Sequence, residues 1–277
     1  GSTAIGIFLD LSKAFDSVNH DILLNKLSYY GIKNDTLNWF ESYLSNRLQY
    51  VSINNENSEY LPITCGVPQG SILGPILFLI YINDSQFATK FAHLVLYADD
   101  MNLLYSHKSI KNIFHALNKD LSSLQEWFHA NKLTVNLTKT KYIHFGSKQR
   151  IKNVMIDESD LALTLGQSIK KTAYTKFLGL ILDEHLTWST HIDLLCRRIA
   201  KSIGVLYRAR HLLNLDIMKK LYYNIIYSHI SYGTLIWGSN YETKIRPIHI
   251  LQKRALRIIS FSDSRAPSRP LFQKLKM

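Results

Sequence analysis

Ile5 to Leu11 is a short apolar run carrying one carboxylate, Asp10, near its end, and it reads as a buried strand. Asp21 to Tyr30 then sets apolar residues at helical spacing until Gly31 stops it. A second helix is expected from Asp35 to Leu44, capped by Asn34 or Asp35. Gln49 to Ile53 and Tyr60 to Thr64 flank a polar run, which is a hairpin signal. The loop Gly66-Val67-Pro68-Gln69-Gly70-Ser71 leads into an apolar helix from about Ile72 to Ile82. Leu94 to Tyr97, the turn residues Ala98-Asp99-Asp100, and Met101 to Tyr105 read as strand, tight turn, strand. Ile110 to Ala130 is an amphipathic helix, and Asn131 to Asn136, Tyr142 to Phe145 and Phe177 to Leu182 read as strands. From His191 the pattern is helical, over Ile192 to Leu206, Leu215 to Trp237 and Glu242 to Phe261. Pro267 and Pro270 mark a loose tail. This order predicts an α/β (α+β) fold, a mixed sheet followed by a helical appendage.

Composition narrows the class. The 277 residues are 46% apolar and 19% charged, enough to bury a core and unlike a disordered chain. The longest apolar stretch is broken by Gly74 and Pro75 and falls short of the roughly 20 residues of a membrane span, so no membrane partner is expected. Cys65 and Cys196 stand far apart without CxxC spacing, which speaks against a disulfide framework or zinc site and for a reducing compartment. The opening Gly1, with no Met and no secretory signal, reads as a fragment, with Gly1 and Ser2 as a cloning scar. The net charge of +12 is uneven. Residues 1–145 carry 11 Lys and Arg against 12 Asp and Glu, whereas residues 146–277 carry 22 against 9. A basic half joined to a neutral one suggests a polyanion held by one region and worked on by the other, or simply a solvated basic face.

Three features carry candidate chemistry. Asp99 and Asp100 are adjacent at the tip of an apolar hairpin, and like charges crowded there cost free energy unless a cation joins them. A hard divalent ion such as Mg²⁺ suits oxygen donors and leaves room for phosphates, although an Asp pair also simply suits a turn. Asp10 ends an apolar strand, where sheets present functional groups. Asp16 stands where a helix begins and reads as a cap or first-turn acid, not a ligand. The glycines of the Gly66–Gly74 loop let backbone approach a ligand, and the Gln69 amide can bond a base, sugar or phosphate.

In this order the three features resemble the motif series of reverse transcriptases. Phe8 to His20, Gly66 to Asp84 and Tyr97 to Asp100 resemble those of non-LTR (LINE-type) retrotransposon enzymes, jockey-like ones in particular. Trp127, Asn131, Leu133, Asn136, Lys139 and Thr140 resemble the family's next motif. Phe177-Leu178-Gly179 followed by Leu186, Trp188 and His191 resembles its primer-contacting segment. Tyr232-Gly233, Trp237-Gly238 and Gln252 to Arg257 resemble the region after the palm.

The resemblance implies a polymerase palm with a ferredoxin-like mixed or antiparallel sheet over residues 1–188. A mostly helical thumb and basic C-terminal region follow over 189–277, and the fingers region is missing ahead of Asp10. The implied activity is RNA-directed DNA polymerisation, a nucleotidyl transfer from dNTP to a primer 3′-hydroxyl using two Mg²⁺ (or Mn²⁺) ions. Asp10, Asp99 and Asp100 would hold the metals, with the Leu11 carbonyl assisting. Phe15 would screen the sugar, Gln69 and Gly70 would contact nucleotide and template, and Lys139 would protonate or neutralise the leaving pyrophosphate. Phe177, Leu178 and Gly179 would grip the primer, while Arg197, Arg198, Lys201, Arg208 and Arg210 would follow duplex phosphates. Expected partners are an RNA template, a DNA primer or target, dNTPs and the rest of a retrotransposon polyprotein with fingers and endonuclease. The expected setting is intracellular, nucleus or cytoplasm, as a ribonucleoprotein. Alternatives are a catalytically inactive nucleic-acid-binding remnant of a retroelement and an intron-maturase-type enzyme, against which the tail around Trp237 and Gln252 argues.

Overall fold

The structure is a computed structural model that describes residues 2–153 and 162–276. Gly1, and residues 154–161 of the 147–175 stretch for which the sequence suggests no function, lie outside the described residues. The chain divides into two compact units, Gly1–Ala173 and Tyr174–Met277. Among the described residues no helix is long and apolar enough to cross a membrane.

The first unit is built on a sheet of five strands: β1 (Thr3–Leu9), β2 (His93–Tyr97), β3 (Asp100–His107), β4 (Lys141–Phe145) and β5 (Lys170–Lys171). Their spatial order is β5-β4-β1-β3-β2, antiparallel except for the β5–β4 pair. The strand that leads to Asp10 is therefore central, with Leu9 opposite Met101 on one side and Phe8 opposite Lys141 on the other. The two-residue period of β1 puts Ile5, Ile7 and Leu9 on one face, buried with Met101 and Leu103. In the same core lie Leu23 and Leu27 of α1 (His20–Tyr29), Leu44 of α2 (Asn34–Leu44) and Leu77, Phe78 and Tyr81 of α3 (Leu73–Ile82). The helix α4 (Ile110–Ala130) adds Ile113, Leu117, Leu121, Leu124 and Phe128, a stripe at the helical period. Buried Asp120 on the same helix accepts the backbone N–H groups of Lys90, Phe91 and Ala92 at 2.9, 3.0 and 2.7 Å, which fixes the turn into β2.

The hairpin expected before the Gly-rich loop forms two short ladders, Leu48–Gln49 with Leu61–Pro62 and Ser52–Ile53 with Glu56–Asn57. Asn54 and Asn55 close it at φ 51° and 69°, the two positive angles of a type I′ turn. The expected strand Asn131–Asn136 does not form. Its backbone instead makes one bridge, Val135 with Leu11, while the Asn136 N–H donates to the Asp10 carbonyl at 2.7 Å and the Ser12 N–H to the Thr134 carbonyl at 2.8 Å.

The second unit opens with the hairpin β6 (Tyr174–Phe177) and β7 (Leu180–Asp183), followed by α5 (Ser189–Ala209), α6 (Leu215–Tyr222), α7 (Glu242–Ile259) and α8 (Ser268–Leu275). The two compact units divide at 173/174, while the sequence suggested a boundary at 188/189; Leu180 is buried with Leu195, Ile199 and Trp237 of the helical core. The single strand expected over Phe177–Leu182 is two strands, since Leu178 (φ 44°) and Gly179 (φ 82°) turn the chain back. The long helix expected over Leu215–Trp237 is interrupted. After α6 comes a π-helical segment, Tyr223–Tyr227, then one turn over Ser228–Ser231, a break at Gly233 (φ 65°) and one turn over Thr234–Trp237. The tail is not loose. Pro267 caps α8 and Pro270 falls in its first turn, where a missing N–H loses no helical bond.

Candidate active site

Alternation along β1 carries Asp10 to the face opposite Leu9. The β1–β3 register pairs Leu9 with Met101, so one step further brings Asp10 level with Asp100. Tyr97 pairs with Asp100 across the hairpin, leaving Ala98 and Asp99 as its two-residue tip. Ala98 holds φ 51°, a left-handed conformation unfavourable for a side chain bearing Cβ, and it sits next to the candidate Asp99. The three acidic residues thus lie at one end of the sheet. Desolvation first, then the charges of Asp99 and Asp10, push the Asp100 carboxyl above the usual carboxylate range.

Asp10 is held from several directions. Its N–H donates to the Thr140 hydroxyl at 3.4 Å and its carbonyl accepts from Asn136. Lys139 Nζ stands 3.5 Å from its carboxylate. The motif around Asn136, Lys139 and Thr140 therefore converges on Asp10, as does the buried Leu11 through its bridge to Val135. These donors suit a hard cation. Among the described residues no three His, Cys, Asp or Glu side chains are grouped to hold an ion by themselves.

The Gly-rich loop is docked beside the segment that follows Asp10. Gly66 N–H donates to the Val18 carbonyl at 2.7 Å and Val67 N–H to the Phe15 carbonyl at 2.9 Å. Gly66 has φ +90°, and a Cβ there would stand 2.9 Å from the Asp16 carbonyl oxygen. Asp16 is not a helix cap, since Asn19 accepts from the Ile22 N–H and starts α1. The Asp16 carboxylate instead accepts from the Gln69 side-chain amide at 2.7 Å and so aims Gln69. The neighbouring Gly70 has φ +81° and open space around its Cα. Phe15 is half-buried, with its ring centroid 4.6 Å from that of Phe78. A cleft of about 680 Å³ adjoins this loop, lined among others by Lys13, Asp16, Arg47, Cys65 and Gln69. The sequence reading missed Lys13 and Arg47 here; Lys13 lies within the Asp10 motif and was open to notice, whereas Arg47 needs the hairpin fold to arrive. Asp84, at the end of the same motif, is taken up by Lys26 at 2.7 Å and stands apart from this chemistry.

A sequence model of the reverse transcriptase (RNA-dependent DNA polymerase) family matches residues 1–182. The chain belongs to the reverse transcriptase family. The RNA-directed DNA polymerase from mobile element jockey of Drosophila funebris is 31% identical over 264 residues, covering 91% of this reverse transcriptase chain and 28% of its own length. The jockey polymerase of Drosophila melanogaster is 28% identical over 292 residues, with 99% and 30% covered. The probable RNA-directed DNA polymerase from transposon BS of Drosophila melanogaster is 29% identical over 270 residues, with 92% and 28% covered. The reverse transcriptase chain thus spans under a third of the length of these relatives. Apo telomerase from Candida tropicalis aligns with a TM-score of 0.48 at 16% identity, over 99% of this chain and 45% of that one.

The remaining candidate residues lie in the second unit. Phe177, Leu178 and Gly179 form the turn of the β6–β7 hairpin, and the Tyr232 hydroxyl donates to the Leu178 carbonyl at 2.5 Å. Arg197, Lys201 and Arg208 are exposed on α5 and recur at spacings that share one helix face. Arg198 is likewise exposed on that helix. Arg210 lies over the rings of Tyr207 and Phe261 at 5.9 and 5.4 Å, and its Nε is buried, so the fold itself employs it.

Proposed function

We propose that this chain is the catalytic part of an RNA-directed DNA polymerase from a non-LTR, jockey-like retrotransposon, with the first unit as palm and the second as thumb. One observation carries the reading: Asp10 and the Asp99–Asp100 turn come to the same end of the sheet, with Lys139 3.5 Å from Asp10. Asp10 and Asp99 would be the principal metal ligands, assisted by the Leu11 carbonyl and Asp100. Two Mg²⁺ (or Mn²⁺) ions would supply Lewis acidity at the primer 3′-hydroxyl and charge neutralisation at the triphosphate. The primer 3′-hydroxyl releases its proton to solvent, its oxygen bonds to the α-phosphorus as the bond to pyrophosphate breaks, and Lys139 offers its proton to the leaving oxygen. Gln69, aimed by Asp16, and Gly70 position nucleotide and template. The Phe15 ring, braced on Phe78, excludes a 2′-hydroxyl. The Phe177–Gly179 turn holds the primer. The exposed cations of α5 follow duplex phosphates and give salt-sensitive, sequence-independent affinity. The protein would act inside the cell, in the nucleus or cytoplasm, as a ribonucleoprotein within a longer polyprotein.

Primer extension on RNA and DNA templates, with Mg²⁺, Mn²⁺ or EDTA, tests this. Asp10→Asn and Asp99→Asn should each abolish extension while keeping the thermal melt and hybrid binding. Near-normal extension by either variant would sink the metal assignment. Hybrid binding with no extension by the unsubstituted chain would favour an inactive remnant.

A further inference from the structure

One buried hydroxyl joins the helix that follows the Gly-rich loop to the segment that holds Asp10. Tyr81, near the end of α3, is fully buried. Its Oη donates to the Asn131 carbonyl at 2.6 Å and accepts the Asn19 N–H at 3.4 Å. Burial pushes the phenol above its ordinary range, so it stays a donor. The ring is fixed as well. Lys26 Nζ stands 4.8 Å from its centroid and donates to the Tyr81 carbonyl at 2.5 Å, while Asp84 holds the same ammonium at 2.7 Å.

Asn131 is where α4 ends. The Lys132 N–H donates to the His129 carbonyl at 3.1 Å and the Leu133 N–H to the Phe128 carbonyl at 2.9 Å, a paired closure that usually has glycine where Lys132 stands. Lys132 holds φ 52°, an unfavourable angle for a residue with a Cβ. Carbonyls at a helix end lack a partner within the helix, and the Asn131 carbonyl finds one in Tyr81. Beyond this turn, residues 132–136 form no strand. They run past Asp10 through the Ser12–Thr134, Leu11–Val135 and Asn136–Asp10 contacts and lead to Lys139, 3.5 Å from the Asp10 carboxylate. An unfavourable turn, pinned from outside by one hydroxyl, thus sets where the segment starts.

We propose that Tyr81 is a positioning residue for Asp10: its hydroxyl pins the Asn131–Lys132 turn, and the segment beyond that turn sets the place of Asp10 and Lys139. The inference rests on the proposed polymerase function and adds to it a residue that touches no reacting atom. The bond to Asn131 is short and that to Asn19 is long, so loss of the hydroxyl acts first on the Asp10 side. Turnover should therefore suffer before nucleotide binding.

The test uses full chains. Tyr81→Phe removes one oxygen and keeps the ring. Ile113→Val loses a similar amount of stability from the buried opposite end of α4 and serves as control. Thermal melts check that each folds. Amide hydrogen exchange is read by mass spectrometry in EDTA without nucleic acid, so no catalysis is required. Relative to Ile113→Val, Tyr81→Phe should speed exchange about fivefold in peptides containing Ser12 or Asn136, and by less than about twofold in peptides from β3. In single-turnover primer extension, Tyr81→Phe should lose about tenfold in rate at saturating dNTP, with KM for dNTP within about twofold; Ile113→Val should move neither by more than about twofold. Lys132→Gly accepts the positive φ freely, so alone it should slow exchange at Asn136, and combined with Tyr81→Phe it should recover most of both losses.

Even exchange across the unit, or a rate within about twofold of that of Ile113→Val, would overturn the inference and leave Tyr81 a packing residue. A raised KM with an unchanged rate would overturn it too, because the hydroxyl would then act through Asn19 on the Gly66 loop. Should Tyr81→Phe not fold, Lys132→Gly decides alone, and unchanged exchange at Asn136 would count against the link. A chain that extends nothing yet shows the selective exchange loses the polymerase reading and keeps the link from Tyr81 to Asp10. A chain that extends normally with even exchange loses the link alone.

Discussion

Replacing Lys139 with methionine separates a structural from a chemical role, because the structure limits how much the first can be worth. Lys139 Nζ lies 3.5 Å from the Asp10 carboxylate, with side chains 67% and 38% exposed. At that separation two unit charges attract by only about 1 kcal/mol in water, and the entropy of holding a long side chain consumes much of it. Urea denaturation should therefore show Lys139→Met within about 1 kcal/mol of the unsubstituted chain. Single-turnover primer extension should tell a different story. A general acid of this kind contributes about 100-fold or more, so extension by Lys139→Met should fall by at least that factor. Lys139→Arg keeps the charge but holds its proton too tightly to donate it, so it should remain nearly as slow. Recovery in Lys139→Arg would reduce the residue to charge neutralisation. Extension by Lys139→Met within about threefold of normal, or a stability loss above about 2 kcal/mol, would refute the reasoning outright.

Other substitutions probe the supports of the site. Gly66→Ala must adopt a left-handed conformation and place its Cβ 2.9–3.1 Å from three backbone atoms of Asp16, so it should cost about 2–4 kcal/mol in urea denaturation and slow extension with it. Asp120→Asn removes one of the two oxygens that accept the Lys90, Phe91 and Ala92 amides and sets an NH₂ against them; a loss of about 2–4 kcal/mol is expected by the same assay. Burial, and then the charge of Arg198, depress the His191 pKa when folded, whereas it is ordinary, near 6.5, when unfolded, so below that pH the unfolded chain binds the extra proton. Stability should thus hold above about pH 6.5 and decline as the pH falls through the folded value, and the pH-dependent part should shrink in His191→Phe, as thermal melts from pH 4.5 to 8 would show. Phe15→Val should raise ribonucleotide incorporation in extension assays, and unchanged sugar discrimination would leave Phe15 as a packing residue on Phe78.

Where a segment's own periodicity decides its structure, the sequence was a good guide. The stripe from Ile113 to Phe128 reads as α4, and Asn54-Asn55 announces its hairpin. Local pattern failed where tertiary contacts decide. The Leu178–Gly179 turn is hidden because an apolar Leu takes a positive φ inside an otherwise strand-like run. The break at Gly233 arises where a Cβ would stand 2.9 Å from Leu180, a residue some fifty positions away that no window could include. The same holds at the candidate site. Asp10, Asp99 and Asp100 were proposed from residue type and resemblance, and the β1–β3 register sets Asp10 level with Asp100. The partnership of Asp16 with Gln69 was not legible, since a first-turn acid looks like a cap until the Gly66 loop docks against it.

The central position of β1 has a consequence for how the protein wears out. Both edges of that strand are laced to neighbours, so its amides should exchange with solvent among the slowest in the unit. β2 is laced on one edge only, and the Ala98–Asp99 tip belongs to it and β3. On warming, the outer ribbon should fray first and carry Asp99 away while Asp10 stays seated. Heat should silence such a catalyst a few degrees before it melts the body, and cooling should restore it.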